Sequence, residues 1–187
     1  MVNFRNIFKL YSIIPLCVSF LYLNGQNTFI ENKGQFPKQV KAKVNLPSGT
    51  LFVEDGKLIY TFYSQSQLAS LHGLRNLKKE IDIHSYVAEF INYNTKVSTE
   101  LLEESKYYEN YFLRNNYEWA IGVRSYKSLY QNNIYKGIDI KYYISNDKLK
   151  YDIIVAPNAS SEQVKIKYTG VNKIELYDGN VFFNTSV

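Results

Sequence analysis

Two aspartates on neighbouring predicted strands are candidates for an acid and base pair. Asp139 and Asp152 lie in runs that alternate apolar and polar residues, on either side of a short polar turn. Both would face away from the apolar side, where two carboxylates can serve glycoside hydrolysis. Cross-strand pairing with Lys141 and Lys150 would use the same charges as easily. We favour ion pairing and expect that the chain is not an enzyme.

Residues that bind metals are sparse. The two histidines, His72 and His84, are not clustered with other ligands, and the one cysteine, Cys17, lies in an apolar N-terminal run. Glu54-Asp55 and Asp178-Gly179-Asn180 carry oxygen atoms that suit calcium, but tight turns favour the same residue types. No Gly-x-Ser-x-Gly, phosphate loop or dinucleotide fingerprint is present. We expect no metal and no cofactor.

The 18 tyrosines offer recognition rather than catalysis. An exposed aromatic face can stack on sugar rings or anchor a protein partner. Core packing is the alternative for half of the set. The candidate ligand face consists of tyrosines in segments that we expect to adjoin: Tyr107, Tyr108, Tyr111, Tyr126, Tyr130, Tyr142 and Tyr143.

The N-terminus has the layout of a secretory signal peptide. Arg5 and Lys9 precede an almost wholly apolar run, and small and polar residues follow it. The run holds about 14 apolar residues interrupted by Pro15, whereas a membrane-spanning helix needs roughly 20. We place the cleavage after Gly25 and expect a secreted or cell-surface protein with no stable membrane insertion after cleavage.

Charge and cysteine content narrow the class of protein further. The net charge of +5 is spread along the chain, whereas nucleic-acid binding needs a concentrated basic surface. The longest basic cluster, residues 75–79, is followed at once by Glu80 and Asp82. We therefore expect no nucleic-acid partner. Without Cys17 the mature chain has no cysteine, so a packed core rather than disulfides must stabilise it.

The segment from Ile134 to Gly170 gives the clearest fold signal. Two alternating runs flank Ser145-Asn146-Asp147-Lys148, which predicts a β-hairpin. A third run, with Val164, Ile166 and Tyr168 on one side, follows a linker that has room for one short helical turn. We expect these three runs to belong to one sheet.

Similar patterns predict strands elsewhere. Residues 29–36 form an arm that can add an edge strand, 64–82 a loop with a short helix, and 92–106 a loop or short helix. Trp119 and Gly122 are placed in a turn. Strands or hairpins are predicted at 40–46, 51–63 with an Asp55-Gly56 turn, 84–92, 106–114, 123–130 and 173–183.

About ten short strands without a full-length helix between them disfavour βαβ architecture. The predicted fold class is all-β, mainly antiparallel: a two-sheet, β-sandwich-like domain with one or two short helical insertions. Residues 26–187 are expected to form a single domain.

Several segments in order resemble one family. They are FIENKGQF (29–36), LFVEDGKLIYTFY (51–63), HSYVAEF (84–90), NYFLRNN with Trp119, SLYQNNIYKGIDIKYY (128–143) and LKYDIIVAPNASSEQVKIKYTGV (149–171). The set resembles the uncharacterised N-terminal domain, DUF7948-like, of large secreted bacterial proteins that carry SBBP repeats or PKD domains. In Bacteroidetes such proteins often end in a sorting domain for type IX secretion or gliding motility.

The resemblance carries no catalytic residues. It implies a non-enzymatic exported structural or adhesion module in a multidomain protein, with other cell-surface protein domains as partners. The alternative is a carbohydrate-binding module that uses the tyrosine-rich face on a surface glycan. Since similar chains continue beyond the position of Val187, we expect the domain to be truncated at its C-terminus.

Overall fold

The computed structural model describes residues 27–71, 80–112 and 119–187. The predicted signal peptide (1–25) with Cys17, His72 and the basic cluster at 75–79 lie outside the described residues. No helix in the described ranges has the length and apolar character needed to cross a membrane. The elements are β1 (Phe29–Glu31), β2 (Val40–Leu46), β3 (Gly49–Glu54), β4 (Lys57–Tyr63), α1 (Gln65–Leu71), β5 (Ile83–Phe90), β6 (Ser98–Tyr111), β7 (Ala120–Tyr135), β8 (Ile138–Ser145), β9 (Lys148–Val155), a 3₁₀ turn (Ser161–Gln163), β10 (Ile166–Thr169), β11 (Lys173–Tyr177) and β12 (Asn180–Asn184).

The strands form one large antiparallel sheet and one small one. The large sheet has the order β10-β5-β4-β3-β2-β1-β7-β8-β9, with β6 paired to β7, and it curls around a common apolar core. The small sheet is the β11-β12 hairpin. The predicted all-β, antiparallel class is confirmed, and the two sheets are very unequal in size.

The core lies on the concave side of the large sheet. In β2 and β3 every second residue is buried, as the period-two pattern predicts. Burial of these side chains away from water is the main stabilising contribution to such a fold. The largest fully buried side chains come from five strands, β1, β3, β5, β7 and β8: Tyr142, Phe29, Phe90, Leu51, Leu129, Ile134, Ile138 and Ile140.

The predicted hairpin turns are confirmed. Asn146 and Asp147 join β8 to β9 with φ angles of 51° and 58°, and Asp178 joins β11 to β12 with a φ of 48°. Two-residue hairpin turns need positive φ, which Asn, Asp and Gly adopt at least cost. Gly56, between β3 and β4, has a φ of 65°, and a Cβ there would lie 2.5 Å from the ring of Tyr93. Both the positive φ and the nearby ring therefore disfavour a side chain at position 56.

β1 is an interior strand, so the prediction of an edge strand at residues 29–36 is wrong. It pairs with β2 on one side and with β7 on the other. The loop after β1 is fixed by Asn32, whose Nδ2 donates to the carbonyl oxygens of Phe36, Pro37 and Val40 at 3.2, 3.0 and 2.9 Å. These hydrogen bonds turn the chain back into β2 and leave both sides of β1 available for pairing.

Residues 92–106 were predicted as a loop or short helix, and this prediction is wrong over its second half. β6 begins at Ser98 and pairs with β7 along most of its length. Its pattern is obscured because many of its side chains are exposed and polar, and because the register shifts between Glu104 and Tyr108. Gly122, predicted in a turn, lies inside β7 with a φ of 63°.

The third run of the central segment belongs to the large sheet but not beside the hairpin. β10 pairs with β5 at the other end of the strand order. Among the described strands, β9 therefore has β8 as its one partner. The sequence pattern gives each strand's faces but not its neighbours. The curled sheet therefore has an open edge along β9.

Candidate functional site

The two aspartates considered for catalysis are held in local hydrogen bonds. Asp139 accepts hydrogen bonds from the Tyr130 hydroxyl at 2.7 Å and from the Asn133 backbone N–H at 2.6 Å. Asp152 is exposed and accepts one from the Tyr143 hydroxyl at 3.2 Å. Neither is ion-paired to a lysine within the described residues, so the predicted pairing with Lys141 and Lys150 is not found there.

Asp139 has a specific structural task. The register between β7 and β8 shifts between Gln131 and Tyr135, and Asn133 in this bulge has a φ of 58°. Asp139 lies opposite the bulge and binds its free backbone N–H. The same carboxylate raises the pKa of Tyr130 through its hydrogen bond to the hydroxyl. Asp139 is therefore explained by the geometry of the sheet.

The described residues contain no group of three or more His, Cys, Asp or Glu side chains placed to bind a metal. Asp55 accepts a hydrogen bond from Thr99 at 2.7 Å and forms an ion pair with Lys41 at 3.0 Å. In the other turn considered for calcium, the Asn180 amide donates to the Asp178 carbonyl at 2.9 Å. His84 is buried, with its Nδ1 3.0 Å from the Ser186 hydroxyl. Each of these groups has a partner within the fold, although the buried Nε2 of His84 makes no hydrogen bond to the described residues.

The candidate tyrosine face divides into three environments. Tyr142 is fully buried in the main core, where burial raises its pKa, and its hydroxyl donates to Gln131 at 3.4 Å. Tyr111 packs edge-on against Phe36 at 5.8 Å, in a small second cluster. The remaining members are the half-buried Tyr126, Tyr130 and Tyr143 and the exposed Tyr107 and Tyr108.

The exposed members lie on the outer part of the β6-β7 hairpin together with two further aromatic residues. We call Tyr107, Tyr108, Phe112 and Trp119 the hairpin aromatic cluster; their side chains are 76%, 60%, 61% and 66% exposed. Phe112 and Trp119 meet edge to face, with ring centroids 5.2 Å apart. The guanidinium of Arg124 lies 5.6 Å from the ring centre of Tyr108. Exposed large aromatic side chains at one end of a hairpin are typical of a recognition surface.

The backbone of this hairpin is fixed by local contacts. The Gly122 N–H donates to the Asn110 side chain at 2.8 Å, which joins β6 to the irregular part of β7. Arg124 also forms an ion pair with Glu104 at 3.4 Å. Phe112 and Trp119 were not assigned to the candidate face from sequence, because period two predicts alternation along a strand but not which end of a hairpin extends into solvent.

A second aromatic group, also missed from sequence, lies on the concave side of the sheet. Tyr60 and Tyr86 stack at 4.8 Å, Tyr86 and Phe183 at 5.7 Å, and Tyr168 lies 4.5 Å from Phe183. Phe62 continues the row, stacked at 6.1 Å from Tyr86. We call these five residues the aromatic stack. They join β4, β5 and β10 of the large sheet to β12 of the small sheet.

A cleft of 660 Å³ opens beside the aromatic stack. Apolar rings form one part of its wall, and serine hydroxyls at the start of α1 form another, through Ser64 and Ser66. Burial raises the pKa of Tyr86 to about 12 and also raises that of Tyr60 well above its usual range. The stacked rings therefore hold their hydroxyls neutral in a poorly solvated environment.

Asp139→Ala is expected to lower the free energy of unfolding by about 1–3 kcal/mol, because it leaves the Asn133 N–H and the Tyr130 hydroxyl without their acceptor. Asp152→Ala, the matched control on the neighbouring strand, is expected to change stability by no more than about 0.5 kcal/mol. Urea unfolding followed by circular dichroism measures both. Equal losses in the two variants would contradict the structural role of Asp139.

Tyr86→Phe is expected to make stability less sensitive to alkaline pH. Because the folded pKa of Tyr86 is raised to about 12, the unfolded chain ionises first above about pH 10 and stability falls as the pH rises. One such group adds up to about 1.4 kcal/mol per pH unit to that fall. When the free energy of unfolding is measured as a function of pH, the curves of the parent and of Tyr86→Phe should run parallel below about pH 9 and diverge between about pH 10 and 12. Parallel curves throughout would contradict the raised pKa.

Comparison with models of known protein families gives a match over most of the chain. The family model described as Domain of unknown function (DUF7948) matches residues 29–187, which include all the strands described above. Neither the curated proteins nor the solved structures gave a match to the chain. The match confirms the family part of the resemblance seen in the sequence. The chain belongs to the DUF7948 family.

Proposed function

We propose that the chain is a non-enzymatic, exported structural or adhesion module and the N-terminal domain of a cell-surface or secreted multidomain protein. The observation that carries this proposal is the hairpin aromatic cluster. The contacts of these rings within the monomer, Phe112 with Trp119 and Tyr108 with Arg124, leave them mostly exposed, whereas contact with another surface would bury them. Aromatic side chains dominate the binding energy of many protein interfaces.

The non-enzymatic part of the proposal is supported by how the polar groups are used. Asp139 stabilises a bulge, Asp55 is ion-paired, and His84 contacts Ser186. An acid or base in catalysis needs to reach a substrate directly or through one water. In the described residues Asp139 and Asp55 instead contact the sheet itself, and His84 contacts the segment after β12.

The exported multidomain context is supported by the signal-peptide pattern of residues 1–25 and by the ordered segments that resemble secreted Bacteroidetes proteins. On this proposal a type IX or gliding-motility sorting domain directs the whole protein to the cell surface. The partners are then other cell-surface protein domains.

A carbohydrate-binding module is the second candidate, and Trp119 favours it. Its indole is 66% exposed and its neighbour Phe112 meets it edge-on. A supported, exposed indole face can stack on a sugar ring. Arg124 beside Tyr108 adds a donor suited to sugar hydroxyls or carboxylates.

A double variant, Tyr108→Ala with Trp119→Ala, tests the adhesion proposal. In a strain that lacks the gene, re-expression of the parent protein is expected to restore attachment under flow, and the double variant is expected to fail. Loss of two such rings commonly costs about 2 kcal/mol or more in a binding site, which corresponds to a drop in affinity of about thirtyfold or more. Tyr177→Ala is the matched control, because Tyr177 is 75% exposed on the small sheet.

Antibody labelling of intact cells checks that parent and variants reach the surface in equal amount. Equal labelling with equal attachment would contradict the adhesion role of the hairpin aromatic cluster. Absence of label on intact cells would contradict export. A glycan array probed with residues 26–187 separates the second candidate: a signal that the double variant abolishes supports carbohydrate binding, and a blank array removes it.

A further inference from the structure

The open edge of β9 is long and regular. The strand is eight residues long, its pairing with β8 has no register shift, and it contains neither proline nor glycine. Natural edge strands normally carry a bulge, a proline or charged side chains that hinder pairing with another chain, and of these β9 has only the charges. β9 therefore presents a regular row of backbone donors and acceptors.

β9 also exposes apolar side chains on both faces. Tyr151, Ile153, Ile154 and Val155 are 41%, 37%, 43% and 40% exposed. Leu149, Tyr151, Ile153 and Val155 face the concave side, since their partners on β8 are core residues. The other face carries Lys148, Lys150, Asp152 and Ile154. An incoming strand would have to match this arrangement on both faces.

The charges on β9 match a second copy of β9 in one register. When two identical strands pair antiparallel around Tyr151, Lys150 lies opposite Asp152 of the second copy, and Asp152 lies opposite Lys150 of the second copy. No ion pair among the described residues involves Lys150 or Asp152. Two cross-strand ion pairs would therefore form without breaking existing ones.

The apolar residues agree with the same register. Tyr151 would face Tyr151 of the second copy, and Leu149 would face Ile153. A shift of one residue places apolar side chains opposite charged ones, because it exchanges the two faces. A register centred on Leu149 instead sets Lys148 against Lys150, and one centred on Asp152 sets the two aspartates against each other. Only the register around Tyr151 satisfies both faces.

We propose that β9 pairs with β9 of a second copy of this chain, in an antiparallel, two-fold symmetric dimer centred on Tyr151. The pairing joins two curled sheets edge to edge by strand addition. One strand pair buries less area than a standard stable interface, so the association is weak and depends on concentration. This inference is independent of the adhesion proposal.

Sedimentation of residues 26–187, which include all described elements, tests the dimer through its charges. Lys150→Asp and Asp152→Lys each create like-charge pairs and are expected to weaken dimerisation at least about tenfold, or 1.4 kcal/mol. The double variant Lys150→Asp with Asp152→Lys restores both ion pairs and should regain the parent affinity. Lys148→Asp, which faces Ile154 of the second copy, is the matched control and should leave the affinity near the parent value.

Single cysteines test the register. Residues 26–187 contain no cysteine, and residues directly opposite in an antiparallel pair have the Cα separation that a disulfide needs. Tyr151→Cys is expected to give a covalent dimer on mild oxidation, and Ile153→Cys, whose copies lie four residues apart, is expected to form no disulfide between copies. Thermal unfolding verifies that both variants are folded.

A parent chain that is monomeric at every concentration would overturn the proposal and leave the β9 edge to a strand of another protein or of a longer form of this chain. A dimer that the double charge exchange does not rescue, or one that Ile153→Cys traps and Tyr151→Cys does not, would also overturn it.

Discussion

The order of the large sheet depends on one long irregular strand and on the carboxylate that holds its bulge. β7 pairs with β6, β1 and β8. It therefore joins the strands from β10 to β1 to the β8-β9 hairpin and to β6. Its register against β8 shifts at Asn133, where Asp139 binds the free N–H at 2.6 Å. Asp139 thus supplies, at the exposed position of Asn133, the acceptor that the bulge lacks within the ladder. An aspartate that looked suited to acid and base chemistry is therefore explained by the backbone that it binds.

The residues that stabilise the monomer are different from those that expose apolar surface to solvent. Tyr142 and Phe29 fill the core, and the aromatic stack closes its open side against the small sheet. The hairpin aromatic cluster and the edge of β9 make no comparable contribution to the monomer. Exposed apolar surface of this kind favours contact with other molecules. The proposed role as a module that acts through its surfaces rests on this exposed apolar area.

The sequence predicted those features that depend on a few adjacent residues. The turns at Asp55-Gly56, Asn146-Asp147 and Asp178-Gly179 were predicted because positive φ restricts the residue types that fit. β2 was predicted within its observed bounds because one face is buried and the other is not. In both cases the physical cause is local to the segment that shows the pattern.

Features set by distant pairing were not predictable in this way. The first part of β6, before the predicted strand at 106–114, was missed because its solvent-facing pattern is polar and its bulge interrupts period two. β1 was placed at an edge because nothing in its three residues indicates pairing on both sides. For the same reason the tyrosines could be grouped by segment but not separated into the buried Tyr142 and the exposed Tyr108. Only the fold decides which of these rings meets solvent.

The central claim is that the sheet built on β7 leaves its edge along β9 open. Amide hydrogen exchange, resolved along the chain and measured at low and at high protein concentration, tests this claim most directly. The account predicts slow exchange in β7 and β8 at both concentrations, and exchange in β9 that is fast in the dilute sample and slowed in the concentrated one. Slow exchange throughout β9 in the dilute sample would contradict it, because the edge would then already be covered within a single chain.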